Sequence, residues 1–114
     1  MKIKVREYEN YAEVIVDGNI LQENVGLFRN RLNDLIEKGS VNIVINLAAT
    51  VYISSLCLSV IINTKGKVAP LGGDLKIVSI NKLVHNLLQI TNLIKKLEIY
   101  ESIESAVSAF DKKN

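Results

Sequence analysis

YISSLCLSVIINTKGK, residues 52–67, is the stretch around which the rest of the chain arranges itself. A β-branched run, Val41 to Leu47 (VNIVINL), leads into it, so Ser54 and Ser55 arrive where an extended segment hands over to a helix. Serine is favoured at such a junction because its hydroxyl can accept a hydrogen bond from a first-turn amide that has no partner inside the helix. The helix that follows is mostly apolar. Leu56, Ser59, Asn63, Gly66 and Lys67 fall at spacings of 3, 4, 3 and 1 along it, which gathers them on one side. That side is the only one suited to water. Ser55 is expected at its upper end, a hydroxyl on a stiff element beside an exposed leucine.

On the N-terminal side, Ile3 and Val5, then Ala12, Val14 and Val16, alternate with polar residues in the period of half-buried strands. A hairpin is predicted near Glu9-Asn10, and Asp17-Gly18-Asn19 ends its second strand with turn chemistry. From Glu23 to Lys38 the apolar positions Val25, Phe28, Leu32, Leu35 and Ile36 mark an amphipathic helix that Gly39 is placed to end. Val41 to Leu47 reads as a central strand. Beyond the helix that ends near Lys67 come Pro70 and Gly72-Gly73, then a strand from Asp74 to Ser79. A helix from Asn81 to Gln89 should bury Leu83, Val84, Leu87 and Leu88. Leu97 to Tyr100 reads as a short strand, and Ser102 caps a closing helix that turns Ala106, Val107 and Phe110 inward. Lys112-Lys113-Asn114 is expected to fray. This alternation predicts one α/β domain over residues 1–114, with a mixed, mostly parallel sheet of about five strands and about four helices.

Composition narrows the functions. The 114 residues, 48% of them hydrophobic, suffice for one core. Net charge is only +2, the basic residues are scattered and aromatics make up 5%, so neither a phosphate-binding stripe nor a base-stacking platform is expected. No apolar run approaches the roughly 20 residues that span a bilayer, and the start, MKIKVREYEN, is charged and alternating, so no leader is expected. A single cysteine forms no internal disulfide, which fits a reducing, cytoplasmic setting.

Catalytic candidates are few. His85, the only histidine, has no Cys or acid at helical spacing to share a metal or a proton with, so a surface or half-buried structural role is expected. Cys57 lies near a helix start, where a thiol can be activated, but its flanks are apolar and a packed thiol is expected. Gly72-Gly73 lacks the lysine and hydroxyl of a phosphate loop and reads as a turn. Lys95-Lys96 is most simply solvated. For Ser54 and Ser55 two readings stand side by side: plain capping, or phosphorylation. A helix N-terminus tolerates an anion, and a dianion placed beside Leu56 would drive off any partner that buries that leucine.

In these residues the chain resembles the STAS domain and, within it, the bacterial anti-sigma factor antagonists. That family's pattern, a strand ending in aspartate and leucine followed after a short loop by F-I-D-S-S-G-L-G, aligns on Asn46-Leu47 and Tyr52 to Ser59. Asp17-Gly18-Asn19-Ile20, Gly72-Gly73-Asp74-Leu75-Lys76-Ile77 for G-G-x-L-x-L, Ile90-Thr91-Asn92-Leu93 for L-T-G-L, and the closing helix follow at the family's spacing. Ser54 stands for the family's aspartate, Leu56 for its second serine, Cys57 and Ser59 for two glycines, and Leu21 for a frequent acid.

The resemblance implies a partner instead of a substrate. The partner is an anti-sigma factor that is also an ATP-dependent serine kinase, bound by the unphosphorylated antagonist and released on phosphorylation, with a phosphatase to reverse it. The phosphoacceptor maps onto Ser55, with Ser54 as second choice, and Leu56, Ser59, Asn63 and Lys67 become the contact face. No cofactor, metal, membrane or direct nucleic acid is expected, nor enzymatic activity, and the chain is expected to be a monomer or weak dimer. The alternative is a STAS module that never cycles, a scaffold or a binder of a small ligand.

Overall fold

The computed structural model describes residues 1–111; the expected frayed end, Lys112-Lys113-Asn114, lies outside the described residues. Five strands form one sheet in the order β1-β2-β3-β4-β5: Lys2–Glu7, Ala12–Asp17, Asn42–Ala49, Asp74–Val78 and Glu98–Tyr100. β1 pairs antiparallel with β2, as a hairpin must, and every later pairing is parallel. The β-branched run therefore sits centrally, between β2 and β4, and continues two residues past Leu47 to Ala49. The β2–β3 register shifts between Ile15 and Asp17, which lets Asp17 pair with Ala49 and extends β3 toward the functional end.

Four α-helices, α1 to α4, span Val25–Glu37, Ser55–Val68, Lys82–Ile90 and Ile103–Asp111. Alternation along the strands divides the core in two. Val14, Ile43, Ile45, Leu75 and Ile77 meet Phe28 and Leu32 of α1, Cys57 and Ile61 of α2, and Val84 and Leu88 of α3. The opposite face presents Val44 and Val78 to Ala106 and Phe110 of α4. The sheet is thus covered by three helices on one side and one on the other.

Local chemistry ends the elements where the pattern predicts. Gly39, at φ +92°, donates to the Ile36 carbonyl while Ser40 donates to that of Leu35, closing α1 in a left-handed cap that a β-carbon would strain. At Gly73 a β-carbon would run into the Val41 carbonyl, so the second glycine of that pair is required by close approach of β3. Two expectations need correction. Leu83 is exposed, not part of the buried stripe of α3, because Val84 and Leu88 alone seat this nine-residue helix while Leu87 is half-buried. Val107 is half-buried, since α4 bears on the sheet through Ala106 and Phe110.

Candidate functional site

The two serines take different positions. Ser54 is extended, at φ −80° and ψ 164°, and its hydroxyl accepts a hydrogen bond from the Cys57 amide at 3.3 Å, so Ser54 is the N-cap of α2. Ser55 is the first helical residue and is exposed, and no hydrogen bond engages its hydroxyl among the described residues. A serine in place of an aspartate at position 54 thus still caps the helix, and the neighbouring hydroxyl is left to solvent.

Leu56, Ser59, Asn63, Gly66 and Lys67 are all exposed, so the face drawn from spacing is the wet face of α2. Leu56 is 44% exposed. The Ser59 hydroxyl reaches back to the Ser55 carbonyl at 3.5 Å, and Lys67 donates to Asn33 Oδ1 on α1 at 3.1 Å. Cys57 points the other way, into the core, where burial pushes its thiol up to about 12. This is the packed thiol that its apolar flanks predict.

The loop before Ser55 is clamped from both sides, a feature the sequence reading missed. Asn19 Oδ1 accepts hydrogen bonds from the Val51 and Tyr52 amides at 3.2 and 3.0 Å. Asn81 Nδ2 donates to the Thr50 and Val51 carbonyls at 3.4 and 2.9 Å, while its Oδ1 caps α3 through the Val84 amide. The Thr50 hydroxyl donates to the Val16 carbonyl, and Ile20 bridges Ile53, accepting the Ser54 amide at 2.8 Å. Held this way, the loop shows Val51 and Tyr52 to solvent, 61% and 42% exposed, beside Leu56. Four apolar or hydroxyl groups, Val51, Tyr52, Ser55 and Leu56, therefore stand out at the carboxyl end of β3 on a backbone with little freedom to move.

His85 is exposed on α3 and lines a cavity of about 460 Å³ with Ser79, Ile80, Asn81, Lys82, Ile99, Tyr100 and Glu101. Among the described residues no three of His, Cys, Asp and Glu converge as a metal site, and no helix is long and apolar enough to cross a membrane.

A parallel sheet with one antiparallel edge strand, three helices against one, and a serine-headed second helix define the STAS class, and the STAS domain family model matches residues 2–106. A candidate anti-sigma factor antagonist of Thermotoga neapolitana is 36% identical over 86 residues, covering 75% of this chain and 76% of that protein. Another, from Thermotoga maritima, is 33% identical over 92 residues, covering 80% and 81%. The crystal structure of a candidate antagonist from Thermotoga maritima superimposes with a TM-score of 0.89 at 26% identity, covering 96% of this chain and 94% of that one. The chain belongs to the STAS domain family and, within it, to the anti-sigma factor antagonists.

Proposed function

We propose that the protein binds an anti-sigma factor with serine kinase activity, frees a sigma factor for transcription by doing so, and is released when Ser55 is phosphorylated. The observation that carries this reading is the division of labour between the serines. Capping is done by Ser54, so the Ser55 hydroxyl is exposed on a rigid helix end and can be modified without loss of the cap.

The chemistry of the switch follows from charge. A phosphate brings roughly −2 at neutral pH to the positive end of α2, where backbone amides and the helix dipole accommodate it. The same group stands beside Leu56, with Ser59, Asn63 and Lys67 further along the face. A partner that buries Leu56 would have to strip water from an unpaired dianion, which costs at least several kcal/mol and is enough to abolish a micromolar complex. The protein itself catalyses nothing in this scheme; ATP belongs to the kinase, and a phosphatase resets the serine.

Incubation with the cognate anti-sigma factor kinase and ATP, followed by mass spectrometry, tests the reading. One phosphate on Ser55, absent from Ser55→Ala, is the expected result, with Ser54 the only tolerable alternative site. No phosphate, or unchanged partner affinity in Ser55→Asp, overturns the switch. A second reading, a non-cycling scaffold or small-ligand module, draws on the cavity beside His85. It predicts a ligand that copurifies with the protein and an intact complex after kinase treatment.

A further inference from the structure

A second apolar feature lies one element away from Ser55. Val84 and Leu88 seat α3 on the sheet, yet Leu83, Leu87 and Ile90, at spacings of 4 and 3, form another apolar line along its flank. Leu83 is 50% exposed and Ile90 83%, with Leu87 half-buried between them. So short a helix shows more aliphatic surface to water than its seating requires. The Asn81 amide ties the start of α3 to Thr50 and Val51, so this line begins next to the loop that presents Val51 and Tyr52.

Charge is distributed unevenly over the same part of the chain. Between Ala48 and Leu97 there are six lysines and one acid, Asp74, whereas the chain as a whole is only +2. Asp74 is buried and bonded to Lys65 and Lys76. Lys67, Lys82, Lys95 and Lys96 are exposed and form no ion pair among the described residues. Lys82 opens α3 and Lys95 and Lys96 follow its end, so the exposed aliphatic line is flanked along the chain by three exposed positive charges, with Glu101 lining the same cavity as Lys82.

Taking the antagonist reading above as given, we propose that Leu83, Leu87 and Ile90 extend the docking surface from α2 onto α3, and that the anti-sigma factor meets it with an acidic rim around an apolar recess. Buried aliphatic anchors supply the affinity, while complementary charge speeds and orients the encounter. The acidic rim also sharpens the switch: it is drawn to the lysines but repelled by a phosphate on Ser55, so charge and dehydration act in the same direction. An anionic membrane would suit the lysines too, but α3 spends two of its apolar residues on the core and carries no aromatic side chain to seat at a lipid interface.

The test measures binding of the purified cognate anti-sigma factor at low and high ionic strength. The chains compared are wild type, Leu83→Ser/Ile90→Ser, Lys82→Glu/Lys95→Glu/Lys96→Glu, Ser55→Asp and a control on the edge strand, Lys2→Glu/Lys4→Glu. All altered positions except Ile90 and Leu83 are charged or polar and every one is exposed, so the fold should persist, as circular dichroism would verify. The expected result is at least a tenfold loss in each α3 variant, weaker wild-type binding as salt rises, and no change in the control. Wild-type affinity in both α3 variants, with Ser55→Asp still blocked, overturns the α3 surface and leaves the switch standing. Loss in the α3 variants while Ser55→Asp binds normally supports the surface and overturns the switch. A chain that binds no anti-sigma factor overturns both. Binding to phosphatidylserine vesicles that only the lysine variant loses, with anti-sigma factor affinity unchanged throughout, assigns the face to lipid and overturns the proposal.

Discussion

Ser54 and Ser55 are chemically identical and one bond apart, yet the backbone gives them separate roles. The extended ψ of Ser54 turns its hydroxyl back over the first turn of α2, while Ser55, already helical, points its own outward. Ser54→Ala should therefore lower stability by about 1 kcal/mol in urea unfolding, the usual cost of losing a cap. Ser55 should still accept phosphate in that variant. Ser55→Ala should change stability by less than about 0.5 kcal/mol, as expected at an exposed position, and abolish modification. Which serine caps was not legible in the sequence, because it depends on one backbone angle and both side chains fit the pattern. Cys57 was legible as a packed thiol from its apolar flanks. With its thiol pushed up to about 12, it should stay silent toward a thiol-reactive disulfide at pH 8 and react fully only in denaturant, which absorbance at the released chromophore would follow.

The pattern located α2, its wet face and its neighbours, but the loop that aims Ser55 depends on partners far away in sequence. Asn19 reads as turn chemistry and Asn81 as a helix start, and Asn81 does cap α3 through the Val84 amide. Over longer range Asn19 holds the Val51 and Tyr52 amides and Asn81 the Thr50 and Val51 carbonyls, contacts that span thirty residues or more and that only the closed sheet brings together. Periodicity carries no record of such a contact. Leu83 was misplaced for a related reason: helical spacing defines an apolar arc, but a short helix on a narrow β4–β5 edge buries only part of it. Asn19→Ala should release the Val51 and Tyr52 amides. Hydrogen exchange at these two positions should quicken while β3 amides stay protected, and the kinase should modify Ser55 more slowly because the loop no longer holds one conformation. Unaltered exchange at Val51 and Tyr52 would remove the clamp from the account.

At the scale of the molecule, the feature least visible in sequence is the charge network under α4. Asp74-Leu75-Lys76 reads only as the start of a strand, and both charged side chains turn out to be buried, Lys76 beneath Phe110 of α4. Lys76 Nζ lies 3.1 Å from Asp74 Oδ2 and 2.9 Å from Glu98 Oε1, and 4.9 Å from the Phe110 ring centre; Lys65 of α2 reaches Asp74 Oδ1 at 2.6 Å. This links α2, β4, β5 and α4, the far end of the helix that begins at Ser55. Lys76→Met keeps the volume but removes the fully buried ammonium that Asp74 and Glu98 share. It should cost about 3 kcal/mol, the scale of breaking a buried pair, seen as a fall in urea midpoint. Phosphate on Ser55 should behave in the opposite way. It sits at the solvated, positive end of α2, so it should leave the midpoint close to that of the unmodified chain and perturb amide chemical shifts only in the loop and first turns around Ser55, while partner binding is lost. A large drop in midpoint on phosphorylation, or shifts spreading through the Lys76 network to α4, would mean that the switch works by loosening the fold instead of by changing one face of a rigid one.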